Sequence, residues 1–408
     1  MTNAAPRSNN LLAPSVSGRS RRTEPISNRV RRDGKFFRLG QEKFHVKGVT
    51  YGPFEPNEEG LQFPSPAQAR RDFALMLELG ANTFRVYHRP PRWLLDLALE
   101  MGLRVLIDVP WPKHLVFVDD ESLKEQGREA VRSAARECGN HPAVFAISVV
   151  NEIPADIVRY SGPERIADFI DELVGVAKEE APDCLVTFAN YPTTEYLQPR
   201  AIDFVCFNVY LHDETVFRNY LARLQNIAGD KPLMLGEYGI DTFREHTEQS
   251  QAEILARHVR AVFEEGCAGT FIFAFTDDWF TGGWQIDNWA FGLVKRDRTP
   301  KASFERVKAL FARAPQVADI DVGGVREQIR QHIVGRIKPS GFAQHQRRVR
   351  DSLVVAAESQ HRLPDRLPVS YLQILLPQDA GVPCPPRNPR ERSESCEIPL
   401  KFALAVAG

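Results

Sequence analysis

Residues 143–154 read AVFAISVVNEIP, and this stretch decides how the rest of the chain is interpreted. Seven of its first eight residues are apolar, three of them valine, and no charge occurs before Glu152. A short uncharged run rich in β-branched residues is typical of a strand in a parallel sheet that is covered on both faces. In such folds the carboxyl ends of the strands meet the ligand. The run therefore predicts a buried strand that presents Asn151 and Glu152 to a functional site.

A second apolar run, LMLGEYGID at residues 233–241, places Glu237 at another strand end, 85 residues after Glu152. Similar runs predict six more strands, and helical periodicity fills most of the segments between them. The further strands are predicted at residues 44–51, 82–87, 104–109, 185–189, 203–210 and 270–275. Eight strands with intervening helices over about 270 residues predict an α/β fold, the TIM (β/α)8 barrel. A doubly wound sheet is the alternative, but the Gly-rich nucleotide turn typical of it is missing from the sequence.

The composition is that of an ordinary globular protein, with 408 residues, 43% hydrophobic and 26% charged. A formal net charge of -1 gives no general attraction to nucleic acid, and no apolar run approaches the roughly 20 residues that span a bilayer. We therefore expect neither a nucleic-acid partner nor membrane insertion. Six irregularly spaced cysteines without a CxxC pair favour reduced thiols and a cytoplasmic location. The oligomeric state is left open.

Three regions are predicted along the chain. Residues 1–33 are polar and rich in arginine, which predicts a disordered basic arm. Residues 34–315 carry the barrel pattern. Residues 316–408 are expected to form a helical extension, at 322–337, and then a tail of low order in which only 369–376 is strand-like. A poorly ordered segment and the remnant of a second module are equally compatible with this tail.

Polar and aromatic side chains follow most of the predicted strands, and in a barrel these converge on one mouth. They are Tyr51, Arg85, Tyr87, His88, Asp108, Trp111, Asn151, Glu152, Tyr191, Asn208, Tyr210, Glu237, Asp277, Asp278 and Trp279. Aromatic rings stack on sugar rings, while amides and carboxylates bind hydroxyl groups, so this set indicates a carbohydrate site. Neither a metal nor a cofactor is expected. No His-x-His follows the first strand, no lysine lies in the sixth, and no phosphate loop or zinc spacing occurs.

Glu152 and Glu237 carry the predicted chemistry. Strands four and seven lie across the barrel from each other, so the two carboxylates can face one glycosidic bond. Retaining glycosidases place such a pair roughly 5 to 5.5 Å apart, with one residue as acid/base and the other as nucleophile. His88 has two interpretations, a hydroxyl ligand or a structural histidine. Trp111 also has two interpretations, an aromatic platform for a sugar ring or a residue of the packed core.

From residues 35 to 314 the chain resembles the retaining glycoside hydrolases of clan A. The likeness is closest to the catalytic barrels of family 2 and looser to family 5. It is carried by HPAVFAISVVNEIP, DFVCFNVY, KPLMLGEYGID and FIFAFTDDWF. The resemblance implies that Glu152 is the general acid/base and Glu237 the nucleophile. It further implies supporting roles at the sugar or at the nucleophile for Arg85, Asn151, Tyr210 and Trp279.

These observations together predict a retaining glycoside hydrolase acting on a β-linked glucan or a small β-glycoside. The first alternative is a transglycosylase, a glucanosyltransferase that uses the same two carboxylates and passes the sugar to an acceptor. The second is a non-catalytic carbohydrate-binding barrel associated with a glycosyltransferase system. The expected substrate-binding set is Arg85, His88, Trp111, Asn151, Tyr210 and Trp279, with an oligosaccharide or glycoside as the partner.

Overall fold

The structure, a computed structural model, describes residues 29–243 and 245–314. The predicted basic arm up to residue 28 lies outside the described residues. So do residues 316–408, with the helix expected at 322–337 and the strand expected at 369–376.

Eight parallel strands close into a barrel, which confirms the predicted TIM architecture. Each strand pairs with the next along the chain, and the eighth pairs with the first. The strands are β1 (Val46–Thr50), β2 (Thr83–Val86), β3 (Arg104–Asp108), β4 (Val144–Asn151), β5 (Leu185–Asn190), β6 (Val205–Asn208), β7 (Leu233–Glu237) and β8 (Gly269–Ile272). Glu237 is thus the last residue of β7, and Glu152 follows the last residue of β4.

Helices surround the barrel and bury its outer face. They are α1 (Pro66–Leu79), α2 (Arg92–Glu100), α3 (Glu121–Ala134), α4 (Ala155–Ser161), α5 (Pro163–Glu180), α6 (Glu214–Ala228), α7 (Glu248–Glu264) and α8 (Ala302–Arg313). A π-helical turn, Ala135–Gly139, continues α3, and a 3-10 turn, Phe117–Asp119, precedes it. Two helices separate β4 from β5, whereas a 3-10 turn, Pro192–Thr194, lies between β5 and β6. The alternation is therefore slightly irregular.

The beginning and end of α1 illustrate how local sequence sets these elements. The Ser65 side chain accepts from the backbone N–H of Gln68, and Pro66 occupies the first helical turn. Gly80 ends the helix with φ 85°, a conformation that favours glycine. A capping serine, a proline in the first turn and a terminal glycine are common start and stop signals of helices. No helix within the described residues is both long and apolar enough to cross a membrane.

A small antiparallel sheet precedes the barrel, formed by Val30–Asp33, Phe36–Leu39 and Glu42–Phe44. The folded part therefore begins before residue 34, the boundary that the sequence suggested. Phe37 is fully buried and packs edge-on against Phe145 and Phe204, with ring centroids 5.0 and 5.3 Å apart. Both partners lie at or before the amino-terminal ends of barrel strands. This sheet thus covers the amino-terminal end of the barrel, and the functional residues lie at the other end.

Candidate active site

Glu152 leaves β4 in an unusual backbone conformation. Its φ is +42°, in the left-handed region that non-glycine residues rarely adopt. The backbone N–H donates to the carbonyl of Ala189 on β5 at 2.9 Å, so the strand pairing holds the residue in this conformation. The side chain is 8% exposed, which leaves a small accessible surface. Strained backbone of this kind is concentrated at functional sites, where the surrounding structure maintains it.

Glu237 is held by three donors from other strands. Its Oε1 accepts from the Tyr87 hydroxyl at 2.8 Å and lies 3.1 Å from Arg85 Nη1. Its Oε2 accepts from the Tyr210 hydroxyl at 2.9 Å. The residue is 7% exposed. These donors therefore fix the orientation of the carboxylate and stabilise its negative charge.

Arg85 occupies the middle of the barrel and is fully buried. Its Nε donates to Asp108, which forms an ion pair with it, and Nη1 donates to the Gly236 carbonyl at 2.8 Å. Nη2 donates to Asn151 Oδ1 at 3.0 Å. A guanidinium can be buried in this way because nearby carboxylates and carbonyls satisfy its charge and its N–H groups. Arg85 thus fixes side chains and carbonyls from several strands at one point.

Asn208 joins the two carboxylates into one network. Its Nδ2 donates to Glu152 Oε1 at 2.8 Å and to Asn151 Oδ1 at 3.0 Å. Its Oδ1 accepts from Arg85 Nη1 at 3.1 Å, the same nitrogen that lies beside Glu237. A shared set of hydrogen bonds through Asn208 and Arg85 therefore links Glu152 to Glu237 at the carboxyl end of the barrel.

The two carboxylates have different electrostatic surroundings. Burial, with the neighbouring charge of Glu237, raises the pKa of Glu152 to about 7. Burial also raises the pKa of Glu237, while the Arg85 guanidinium and the hydroxyls of Tyr87 and Tyr210 act in the opposite direction. Among the described residues, Glu152 accepts from a single neutral donor, whereas Glu237 has two hydroxyls and a guanidinium. A proton shared by the pair therefore resides on Glu152, and Glu237 carries the charge.

Gly236 is required by the close packing around Arg85. A Cβ at this position would lie 2.6 Å from Asn208 Oδ1, 2.7 Å from Cys206 Sγ and 2.9 Å from Arg85 Nη1. Any side chain here would displace the network that holds Glu237. The glycine before the glutamate is therefore part of the site.

An aromatic wall lies beside Glu237. Trp279 stacks on Trp289 with ring centroids 4.8 Å apart and an interplanar angle of 14°. Its ring meets Tyr87 edge-on at 5.5 Å, and Phe273 packs against it at 5.2 Å. Trp279 is 6% exposed. The predicted aromatic thus lies in the same part of the molecule as the carboxylates, connected to Glu237 through Tyr87.

Two predicted substrate-binding residues, Arg85 and Trp111, have different surroundings from those expected, and His88 stays a prediction. Arg85 is buried behind the carboxylates, so it positions them and does not reach a ligand. The prediction that Trp111 binds the sugar is corrected as well. Its Nε1 donates to the Val149 carbonyl at 2.8 Å, and its ring packs edge-on against Phe117 at 4.9 Å. It therefore belongs to the packing between strand and helix. His88 lies in a cleft of about 320 Å³ that α3 also lines.

Asp277 and Asp278, two of the strand-end side chains expected to converge on the carbohydrate site, form ion pairs with neighbouring cations. Asp277 forms an ion pair with Lys301 at 2.8 Å, and Asp278 one with Arg298 at 2.8 Å. Arg298 also pairs with the fully buried Asp72 at 2.9 Å. These aspartates stabilise the loop after β8, so we assign them a structural role.

Sequence reasoning placed Tyr87 and Asn208 at strand ends without giving them a role, and it overlooked Lys113. The Lys113 ammonium donates to the Asn151 carbonyl although the residue follows a different strand. The sequence signal is weak, a lysine after the Pro-Trp-Pro segment that closes β3. Within residues 29–243 and 245–314, no group of three or more His, Cys, Asp or Glu side chains is arranged to hold a metal ion.

Comparison with known proteins adds independent information. The family model for glycosyl hydrolases family 2, TIM barrel domain, matches residues 30–314. A beta-glucuronidase of Felis catus is 30% identical over 224 residues, which cover 50% of this chain and 32% of that protein. The 1,3-beta-glucanosyltransferase gel1 of Aspergillus fumigatus is 24% identical over 258 residues, 57% of this chain and 55% of that protein.

Among solved structures, the beta-glucuronidase of Bifidobacterium dentium complexed with coumarin-3-O-glucuronide has a TM-score of 0.62. The match covers 70% of this chain and 49% of that chain, and the 23% sequence identity makes it a likeness of fold. The chain spans about a third of the length of the first curated beta-glucuronidases it matches.

Proposed function

Because this chain belongs to family 2 of the glycosyl hydrolases through its TIM barrel domain, we propose that it is a retaining glycosidase acting on O-glycosyl compounds. The observation that carries the proposal is the network in which Arg85 and Asn208 join Glu152 to Glu237 at the barrel mouth. One carboxyl of the pair is suited to hold a proton and the other to remain charged. That difference is what a two-carboxylate mechanism requires.

Glu237 acts as the nucleophile in this mechanism. A carboxylate oxygen attacks the anomeric carbon and forms a C–O bond while the bond to the leaving oxygen breaks. The Tyr87 and Tyr210 hydroxyls and Arg85 hold the attacking group in one orientation. Such preorganisation removes the need to reorganise solvent at the moment of reaction.

Glu152 acts as the general acid and then as the general base. Its raised pKa of about 7 leaves it largely protonated at mildly acidic pH and about half protonated at neutral pH, so it can donate to the leaving oxygen. In the second step the Glu152 carboxylate takes a proton from water, whose oxygen attacks the anomeric carbon and releases Glu237. Both steps balance, because the proton given in the first is recovered in the second.

The remaining predicted contacts fit this assignment. Asn151 Oδ1 accepts from Arg85 and Asn208, and its position next to Glu152 supports a role in binding a sugar hydroxyl. Trp279 contributes an aromatic face to the wall next to Tyr87. We assign these two residues to the sugar whose anomeric carbon reacts.

We propose a β-glycoside as the substrate class, either a β-linked glucan or a small β-glycoside. The names of the relatives support a β-configured substrate, since the matches include beta-glucuronidases and a 1,3-beta-glucanosyltransferase. The match to that transferase also favours a second candidate, transglycosylation. An acceptor sugar would then replace water in the second step at the same two carboxylates.

A panel of aryl β-glycosides, including a β-glucoside and a β-glucuronide, tests the proposal with wild type and Glu237→Gln. We expect turnover by wild type with retention at the anomeric carbon, seen by proton NMR of the first product, and loss of turnover in the variant. Glu253→Gln, an exposed change on α7, is the matched control. Equal turnover by wild type and Glu237→Gln would remove Glu237 from the mechanism. Elongated products at high donor concentration would identify the transglycosylase.

A further inference from the structure

The segment after β3, residues 110–113 with the sequence PWPK, is attached to the strand that carries the proposed acid/base. Trp111 Nε1 donates to the Val149 carbonyl at 2.8 Å, and Lys113 Nζ donates to the Asn151 carbonyl. These carbonyls are two residues apart on β4, and both accept from the same four-residue segment. The Lys113 backbone N–H donates to the Trp111 carbonyl at 2.7 Å, which keeps the segment compact.

Lys113 is a buried charge in an unusual position. The residue is 9% exposed. Within residues 29–243 and 245–314, no carboxylate oxygen lies within ion-pair distance of its ammonium, whose direct partner is the Asn151 carbonyl. A buried ammonium is unfavourable unless negative charge lies close by. Burial accordingly lowers the pKa of Lys113, and nearby carboxylates, Glu152 first among them, oppose that change.

Glu152 is the group most affected by this ammonium. Lys113 favours the Glu152 carboxylate more strongly than Arg85 does. Other titratable or charged groups reach the two residues from the neighbouring strands. They are Arg85 from β2, Asp108 from β3, Tyr191 after β5, Tyr210 after β6 and Glu237 from β7.

We propose that Lys113 is a positioning residue for Glu152: its ammonium holds the end of β4 and stabilises the carboxylate that forms when Glu152 gives up its proton. This inference rests on the proposed function, in which Glu152 is the acid/base. When the proton passes from Glu152 to the leaving oxygen, a negative charge appears on Glu152 in a buried site. The Lys113 ammonium offsets that charge, and it does so again in the second step, before the carboxylate takes a proton from water.

A purely structural role predicts different behaviour. If Lys113 only tied β4 to the PWPK segment, its loss would displace Glu152 and slow turnover without moving the pH at which Glu152 titrates. The electrostatic role raises that pH when the charge is removed. Substrates with poor leaving groups are slowed under either role, because an alkoxide needs a proton to depart and a dinitrophenolate does not. Lys113→Met keeps the length and apolar stem of the side chain and removes the charge. Lys113→Arg keeps the charge and is the matched control.

The test measures the titration of Glu152 directly and in turnover. Protein labelled with ¹³C at the glutamate carboxyl is titrated by NMR, and Glu152 is assigned by the resonance missing in Glu152→Gln. We expect the midpoint to rise by about one pH unit in Lys113→Met and to be restored in Lys113→Arg. With aryl glycosides, the alkaline limb of kcat/KM should move to higher pH by the same amount. Turnover should fall at least tenfold for a poor leaving group and little for a dinitrophenyl glycoside.

The possible results separate this inference from the proposed function. An unchanged Glu152 midpoint in Lys113→Met would overturn the role of Lys113. The proposed mechanism would still stand if wild type is active and Glu237→Gln is inactive. Conversely, a wild-type protein without glycosidase activity would refute the mechanism and with it any role for Lys113 in turnover. The NMR midpoint gives a result for Lys113 even in that case.

Discussion

Replacing Glu152 by glutamine should stabilise the fold at neutral and alkaline pH while it removes the proposed acid/base. The pKa of Glu152 in the folded protein is about 7, against an ordinary 4.5. The folded chain therefore holds this proton more tightly than the unfolded chain does. Its stabilising contribution is complete below pH 4.5 and is lost as the pH rises to about 7. At about 1.4 kcal/mol per pH unit, wild type loses about 3 kcal/mol over that interval, and the glutamine variant does not.

Urea denaturation at a series of pH values from 4 to 8.5 checks this expectation. The free energies of unfolding of wild type and Glu152→Gln should agree closely near pH 4. The variant should be about 3 kcal/mol more stable at pH 8 and above. Glutamine retains an oxygen that can accept from Asn208 Nδ2, so the network itself is preserved. Glu253→Gln, on the exposed face of α7, is the control and should show no growing difference.

A difference between wild type and Glu152→Gln that stays constant over the whole pH range would refute the reasoning. It would mean that Glu152 titrates alike in the folded and unfolded chains, so burial would not favour its protonated form. The basis for assigning the proton to Glu152 would then be lost, even if the variant were inactive.

Three further substitutions test the network around Glu237. Arg85→Met leaves two buried carboxylates without their cation, so we expect a loss of about 3 to 5 kcal/mol in the free energy of unfolding, measured by urea denaturation at pH 7. Gly236→Ala would place a Cβ 2.6 Å from Asn208 Oδ1; we expect a loss of about 1 to 3 kcal/mol by thermal denaturation and at least a tenfold drop in kcat. Tyr210→Phe removes a donor to Glu237 Oε2, and we expect kcat/KM to fall by roughly tenfold to hundredfold while the melting temperature changes little.

Each of these expectations has a contrary result. Arg85→Met with the stability of wild type would mean that the carboxylates around it do not depend on its charge. Unchanged turnover in Gly236→Ala would show that the network can move aside without affecting Glu237. A Tyr210→Phe variant that loses stability and activity together would indicate that the hydroxyl serves the fold and not the nucleophile.

The barrel strands were predictable because they are buried on both faces. Uncharged runs rich in valine and isoleucine are typical of strands that are covered on both faces, and β4 is the clearest of them. The folded boundary before residue 34 was missed, because the strand Val30–Asp33 reads VRRD and its charges conceal the pattern. Its stability depends on pairing with Phe36–Leu39 and on the burial of Phe37, which only the assembled fold provides.

The sequence predicted which strand ends carry the side chains of the site. It did not predict the direction in which each side chain points. Glu152 and Glu237 were found because a carboxylate at the end of an apolar strand is conspicuous. Trp111 follows β3 in the same way, yet its indole turns to the Val149 carbonyl and the helices. Arg85 illustrates the same limit, since contacts with residues from four other strands determine its environment. Such convergence depends on how the barrel closes.

The pairing of β8 with β1 has a consequence for synthesis. Val46 and Gly269 are partners in this pairing although about 220 residues lie between them. Before β8 is made, β1 and β7 lack the strand that pairs with both of them. Any sheet that they form would have unpaired backbone groups along these two edges, and such edges attract strands from other molecules. Any shortened form of the protein that stops before Gly269 would keep both edges permanently. The last strand of the barrel therefore serves as protection against aggregation as well as a support for the aromatic wall.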